Sequence, residues 1–171
     1  CRDFLKAISQ ITPLLIIAGN HDMMESNTNR LDSITPVTDD IPDLYYLKYS
    51  GLYSCSNNVV FVVSSLYDKT FIKHEDIAAS QYHCEEREYI ALYHGSLCGA
   101  SSDSGYVMEE TEETKESGTT RYRSLQDFNG YSAVLLGDIH KHQTFLTDEG
   151  CTAAYAGSLI QQNHGESREG H

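Results

Sequence analysis

The sequence lacks three features, and each absence excludes a class of protein. Its five cysteines form no C-x-x-C pair, so neither a zinc knuckle nor a disulfide framework is indicated. No apolar run is long enough to span a bilayer, and no signal peptide is visible. Only 12 lysines and arginines stand against 25 aspartates and glutamates, so no basic face for nucleic acid is evident. We therefore expect an intracellular protein, cytoplasmic or nuclear, that is not secreted and does not bind a membrane.

The length and composition predict one globular domain. The chain has 171 residues, of which 40% are hydrophobic, and this suits a folded chain rather than a disordered one. It starts at Cys1, enters a helical pattern over residues 3–10, and stops at His171 without a terminating element. We therefore expect residues 1–171 to form a single incomplete domain, a fragment of a longer chain.

The apolar patterns predict an α/β fold with several buried strands. Residues 59–63, Val-Val-Phe-Val-Val, form the clearest strand pattern because β-branched and aromatic residues dominate it. His74 and His83 have no partner at a metal-ligand spacing and are predicted to be surface residues. The other predicted elements are strands over 44–47 and 52–53, helices over 75–84 and 124–128, and a hairpin of 144–146 with 152–155.

Three further apolar segments are each followed by glycine and by side chains that can bind metals. They are residues 14–17 before Gly19-Asn20-His21-Asp22, residues 89–93 before His94-Gly95, and residues 131–136 before Gly137-Asp138-Ile139-His140. Ligands bind beyond the carboxyl ends of strands in open α/β sheets, and Gly19 would let the backbone turn there without a Cβ clash. If residues 137–140 are extended, Asp138 and His140 point to the same side, and His142 shares that side.

The donor types at these strand ends indicate a catalytic metal centre rather than a structural one. Amide oxygen, carboxylate oxygen and imidazole nitrogen together suit Mn²⁺, Fe²⁺ or Zn²⁺, whereas structural zinc usually comes with closely spaced cysteines. Two such ions about 3.5–4 Å apart can activate a water and stabilise both oxygens of a phosphate-ester displacement. His21 is not needed as a ligand and would then be available as a general acid for the leaving group.

The order of these motifs resembles the calcineurin-like metallophosphoesterases. The last motif, Gly-Asp-Ile-His-Lys-His-Gln over residues 137–143, and the segment over 155–166 are similar to the DNA-repair exonuclease branch, the SbcD-type nucleases. The resemblance extends from Leu14 to His171. It implies an α-β-β-α sandwich, in which two sheets pack face to face with helices outside.

The resemblance also implies a ligand set for two divalent metal ions, with Mn²⁺ preferred and Fe²⁺ or Zn²⁺ as alternatives. Asn20 and His94 would bind one ion, and His140 would bind the other. The first motifs of the family, Asp-x-His and a later Gly-Asp, supply a bridging carboxylate and are absent from this sequence. We therefore expect these residues alone to be inactive, and the missing motifs to precede Cys1.

The last motif departs from the family pattern at Asp138. The family motif commonly contains Gly-His-x-His, so a carboxylate here takes the place of the first histidine and favours harder ions. A second register would pair His140 with His142 as ligands. Because Gly137 and Gln143 bracket the motif as they do in the family, we favour Asp138 and His140.

Four further residues receive roles from the resemblance. His21 would orient or protonate the scissile phosphate. Asp22 would fix the ring of His21, as carboxylates near metal centres do. Gly157 and Ser158 would shape the floor of the site.

These observations predict a metal-dependent nuclease of the DNA-repair type. Its expected partners are DNA and an SMC-like ATPase subunit, with a homodimer as a further expectation. One alternative is a metallophosphoesterase for small-molecule or protein phosphoesters, which the formal net charge of −13 favours because an acidic surface repels DNA. Another is a catalytically inactive binding module of the same fold, which the missing motifs and Asp138 favour.

Overall fold

The computed structural model describes residues 1–55, 58–109 and 122–159, and it has mixed α/β structure with few helices in that part of the chain. The helices are α1 (Arg2–Ser9), α2 (Thr35–Thr38), α3 (His74–Ala78) and a 3₁₀ turn (Leu125–Phe128). The strands are β1 (Leu14–Ile16), β2 (Leu44–Tyr46), β3 (Gly51–Ser54), β4 (Val59–Ser64), β5 (Glu88–His94), β6 (Ser96–Leu97), β7 (Tyr122–Arg123), β8 (Ala133–Gly137), β9 (Gln143–Leu146) and β10 (Thr152–Tyr155). The predicted α/β class is confirmed.

Six of these strands form one mixed sheet in the order β3-β4-β5-β8-β10-β9. The four central strands are parallel, and the two edge strands run antiparallel to their neighbours. The carboxyl ends of the central strands therefore meet at one edge of the sheet. At that edge His94 of β5 pairs with Gly137 of β8, and Tyr155 of β10 pairs with Leu136.

The larger core lies on one face of this sheet. Side chains alternate between the faces of a strand, and one set from each central strand is buried, as Val62, Val134 and Tyr155 show. Ile77 of α3 and Phe128 of the 3₁₀ turn pack against them. These two short elements therefore cover the first face.

The second face is covered by a separate two-stranded parallel sheet of β1 and β2. Leu47, which follows β2, packs with Val63 and Leu92 of the six-stranded sheet, and Ile17 adds to the same cluster. On this face the neighbouring strand β8 is less covered, since Leu135 is 51% exposed. The small sheet thus brings the segment after β1 to the carboxyl edge of the large one.

The predicted helix over residues 75–84 is wrong in length, because α3 ends at Ala78. The Ser80 hydroxyl donates to the Ile77 carbonyl at 2.7 Å and accepts from the Tyr82 amide at 3.2 Å. A serine that bonds to nearby backbone offers the chain an alternative to the helix.

One prediction extends beyond the described part of the chain. Residues 160–166 of the segment that resembles the nuclease branch lie outside it, so only residues 155–159 of that segment are described. Among the described residues, no helix combines the length and the apolar character that a bilayer crossing requires.

Candidate functional site

Three of the predicted ligands meet at the carboxyl edge of the large sheet. Asn20 Oδ1 lies 3.1 Å from His94 Nε2, although the two residues are 74 positions apart in sequence. Asp138 Oδ1 lies 3.6 Å from the same His94 nitrogen. We call Asn20, His94 and Asp138 the edge cluster. Each member follows or ends a different strand, as the strand-end argument predicted.

Two glycines make room for the His94 ring. A Cβ atom at Gly19 would lie 2.8 Å from His94 Cε1, and one at Gly137 would lie 2.9 Å from His94 Nδ1. Both distances are shorter than real Cβ contacts. The sequence analysis predicted that Gly19 allows a sharp turn and did not predict this packing. The available signal was the presence of Gly19 and Gly137 after strands whose ends were expected to lie near His94.

Asp138 has a backbone conformation that the sequence did not predict. Its φ angle is +99°, a region that costs a non-glycine residue about 1–3 kcal/mol and is retained when the surroundings demand it. An extended segment over residues 137–140, the condition under which Asp138 and His140 would point to the same side, is therefore not observed, because the chain turns at Asp138. The turn brings the Asp138 carboxylate to His94 and to Ser96, whose Oγ donates to Oδ2 at 3.0 Å.

His140 lies on the surface of a cleft beside Asp138. The cleft has a volume of about 280 Å³, and its walls are formed by Ser102, Asp103, Ser104, Met108, Asp138, Ile139 and His140. His142 is exposed and is not among the described lining residues. The choice between Asp138 and His142 as the second ligand of the motif stays a prediction, and this geometry favours Asp138.

Gly157 and Ser158 lie directly behind the backbone of His140. The Ser158 amide donates to the His140 carbonyl at 2.9 Å. Gly157 has a φ of +82°, and a Cβ there would lie 3.0 Å from the same carbonyl oxygen. The close approach therefore needs glycine, and the two residues hold the loop that carries His140.

The loop that carries His21 is held by its neighbour Asp22. His21 is exposed. The two Asp22 oxygens accept from the Gly19 amide at 2.9 Å and from Ser33 Oγ at 2.8 Å. Asp22 therefore fixes the shape of the loop, and its predicted action on the His21 ring stays a prediction.

Sequence reasoning missed Asp32, a buried carboxylate that joins the start of α2 to Lys48 after β2. Its carboxylate accepts from the Thr35 amide at 2.6 Å and pairs with Lys48 Nζ at 2.9 Å. Burial alone would raise the pKa of Asp32, but the hydrogen bonds from Thr35 and Lys48 outweigh it and lower the pKa to about 2. An aspartate shortly before Thr-Pro at a helix start was the available signal.

One pair of donor atoms in the edge cluster has the spacing of adjacent ligands around an octahedral ion. Adjacent ligands at 2.0–2.1 Å from such an ion are about 3.0 Å apart, close to the 3.1 Å between Asn20 Oδ1 and His94 Nε2. Within the described residues, no group of three His, Cys, Asp or Glu side chains could hold a metal ion. The third donor of the edge cluster is the amide oxygen of Asn20. The described residues thus fit part of a ligand set and lack a bridging carboxylate.

Comparison with known proteins adds a relative without adding an activity. No protein-family model matches the chain. An uncharacterized protein of Acanthamoeba polyphaga mimivirus is 40% identical over 175 residues, which cover 99% of this chain and 12% of that protein. The chain thus spans about an eighth of the relative's length. The similarity extends along nearly all of this chain.

Proposed function

We propose that this chain carries part of the two-metal centre of a calcineurin-like metallophosphoesterase, and that the complete protein is a DNA-repair-type nuclease. The observation that carries the proposal is the 3.1 Å approach of Asn20 Oδ1 to His94 Nε2. Both belong to motifs that resemble the family in order and residue type. The two residues meet at the carboxyl edge of parallel strands, which is the place where α/β proteins bind their ligands.

The packing of the two sheets supports the fold that this family implies. The small sheet lies on the second face of the large one through Ile17, Leu47 and Leu92. α3 and the 3₁₀ turn lie on the first face. We therefore extend the proposal to an α-β-β-α sandwich, of which the described residues form a part.

The residues of the site suit phosphodiester hydrolysis in distinct ways. Asn20 and His94 would hold one divalent ion, with Mn²⁺ preferred, and Asp138 and His140 would contribute to the other. When bound, the ions would activate a water and offset the negative charge of the phosphate. His21 is exposed and directly follows Asn20 of the edge cluster in sequence, so its imidazole would be accessible to donate a proton to the leaving oxygen.

The net charge supports a second candidate function. The formal charge of −13 repels a DNA backbone, so a phosphoesterase for small-molecule or protein substrates is the alternative, and an inactive binding module is the third. Bound ions would offset part of this negative field. If the protein is the nuclease, we further propose that it works with an SMC-like ATPase subunit and forms a homodimer, as the resemblance implies.

The test compares substrates with the full-length protein in Mn²⁺. A chromogenic phosphodiester, a phosphotyrosine peptide, single-stranded DNA and double-stranded DNA are assayed side by side, with and without a chelator. The nuclease proposal expects chelator-sensitive cleavage of DNA and of the chromogenic diester. Cleavage of the diester or the peptide without DNA supports the second candidate, and metal binding without any hydrolysis supports the binding module.

A further inference from the structure

A short hairpin forms one wall of the cleft beside the edge cluster. Ser101 pairs with Val107 in antiparallel orientation. The turn between them contains Gly105, whose φ is +82° and whose amide donates to the Ser102 carbonyl at 3.0 Å. Serine, aspartate and glycine, which occupy this turn, are typical turn residues. We call residues 100–108 the cleft hairpin.

The cleft hairpin is fixed to the strand that follows His140. The Ser101 amide donates to Gln143 Oε1 at 3.0 Å, and Gln143 Nε2 donates to the Ser101 carbonyl at 2.8 Å. Lys141 Nζ donates to Ser101 Oγ at 3.1 Å. Gln143 begins β9, which pairs with β10 of the large sheet. The hairpin therefore has a defined position against the loop that carries His140.

One face of the cleft hairpin is directed into the cleft. Ser102 and Met108 both lie in its wall. The Ser102 amide donates to the Tyr106 carbonyl at 2.8 Å, so these two residues are opposite each other, one position beyond the bridge between Ser101 and Val107. Residues opposite each other on two antiparallel strands share a face. The Tyr106 side chain therefore belongs to the face that borders the cleft, and it is 60% exposed.

The charge of the cleft does not suit a phosphate group. Its wall includes Asp103 and Asp138, and no lysine or arginine is among the described residues that form it. A bound ion would offset the charge of Asp138, which is a candidate ligand, but Asp103 would still repel an anion in the cleft. The expected occupant is therefore a neutral group.

The rest of the wall suits a nucleobase. Met108 and Ile139 provide apolar surface, and Ser102 and Ser104 provide hydroxyl groups. The volume of about 280 Å³ is close to the lower end of the range of about 300–1,000 Å³ for small-molecule sites. A base is flat and neutral, and an amino group on its edge can donate a hydrogen bond to a carboxylate such as that of Asp103. An exposed tyrosine ring is the kind of surface on which bases stack.

We propose that the cleft binds the nucleobase of a nucleotide whose phosphate lies at the adjacent metal centre, and that the Tyr106 ring stacks on this base. The inference rests on the proposed function in one respect, because the metal centre has to hold the phosphate. It assigns the substrate to the phosphodiesters that contain nucleotides and not to the phosphoproteins.

The test measures how much the base contributes to binding. Deoxycytidine 5′-monophosphate and deoxyribose 5-phosphate carry the same phosphate and differ in the base, so the ratio of their dissociation constants isolates that contribution. Calorimetry with the full-length protein in Mn²⁺ gives both constants. We expect the wild type to bind the nucleotide about tenfold more tightly, within the range for one base on an aromatic side chain.

Three variants show whether this preference comes from Tyr106. Tyr106→Ala removes the ring, so the two dissociation constants should come within about twofold of each other, while the affinity for deoxyribose 5-phosphate keeps its wild-type value. Tyr106→Phe keeps the ring and should keep the preference. Tyr82→Ala is the matched control, because Tyr82 is 67% exposed and is not among the described residues of the cleft wall; it should also keep the preference.

The outcomes separate this inference from the proposed function. Equal binding of the two compounds by the wild type, or an unchanged preference in Tyr106→Ala, overturns the base site and leaves the metal centre in place. A preference that depends on Tyr106 in a protein that cleaves no DNA supports the base site and contradicts the nuclease. Binding of neither compound overturns the base site together with the metal centre.

Discussion

Two histidine clusters in this protein differ in what surrounds the imidazole. His94 of the edge cluster has oxygen neighbours, Asn20 at 3.1 Å and Asp138 at 3.6 Å. His74 has ring neighbours, with Tyr89 at a centroid distance of 5.4 Å and Tyr131 at 5.5 Å. His83 completes the second group, 5.9 Å from His74 and stacked on Tyr89 at 5.6 Å. We call His74, His83, Tyr89 and Tyr131 the ring cluster.

The comparison identifies which feature distinguishes a candidate ligand from a packing residue. A glycine lies against each imidazole, since a Cβ at Gly137 would approach His94 Nδ1 to 2.9 Å and one at Gly130 would approach His74 Cγ to 2.8 Å. Close packing of a glycine against the imidazole ring is therefore common to both clusters. The partners differ: oxygens near an imidazole can share an ion with it, whereas rings near an imidazole bury and pack it.

The largest expected effect separates the two clusters by function. His94→Ala removes a nitrogen donor, so Mn²⁺ affinity and phosphodiester hydrolysis by the full-length protein should fall by at least about 100-fold, the upper end for changes around a metal ligand. His74→Ala is the matched control and should keep both within about twofold. Calorimetry and initial rates measure the two quantities. Equal losses in both variants would show that the partner difference has no functional meaning.

A second change acts on His94 without altering its chemistry. Gly137→Ala adds a methyl group 2.9 Å from His94 Nδ1, so the ring has to shift, and we expect Mn²⁺ affinity to fall about tenfold. Gly51→Ala is the control, because its methyl group would meet only Tyr53 at an ordinary 3.6 Å. Unchanged affinity in Gly137→Ala would mean that the ion does not depend on the position of this ring.

The sequence predicted the strands better than the turns between them. The apolar segments of the sequence correctly predicted β4, β5 and the hairpin of β9 with β10. Buried strand positions require apolar residues, so the pattern of apolar residues along the sequence indicates where such strands lie. The length of α3 was wrong because Ser80 makes local bonds that compete with the helix. The positive φ angle of Asp138 was not predicted, because His94 and Ser96, which contact its carboxylate, are both distant in sequence.

The location of the candidate site was predicted in part, because some of its residues are placed by strands and others by contacts with residues distant in sequence. Asn20, His94 and Asp138 stand beside strand ends, and strand ends converge in a parallel sheet. Ser96 and Asp32 were missed because their importance comes from partners 42 and 16 positions away. His74 and His83 were predicted as surface residues and are half-buried, since Tyr89 and Tyr131 cover them from other elements.

The third prediction concerns stability in the ring cluster. His74→Ala removes ring contacts with His83, Tyr89 and Tyr131, each of the kind that contributes about 0.5–1.5 kcal/mol. We expect the free energy of unfolding to fall by about 1–3 kcal/mol, measured by urea denaturation. His142→Ala, at an exposed position, should change it by less than about 0.5 kcal/mol. A loss no larger than that of the control would contradict the packing role.

The smallest expected effect is a pH dependence that belongs to the ring cluster. Burial, assisted by the nearby charge of His83, lowers the pKa of His74 from its ordinary value of 6.5. Below pH 6.5 His74 is therefore protonated more readily in the unfolded chain than in the folded protein. Its contribution to the free energy of unfolding is complete above pH 6.5 and is lost as the pH falls. His74→Phe keeps a ring and removes the titration. The free energy of unfolding, measured at pH 7.5 and 5.5, should therefore fall less on acidification in the variant than in the wild type. If both fall equally, the His74 proton is bound as readily in the folded protein as in the unfolded one, and burial among rings does not suppress its charge.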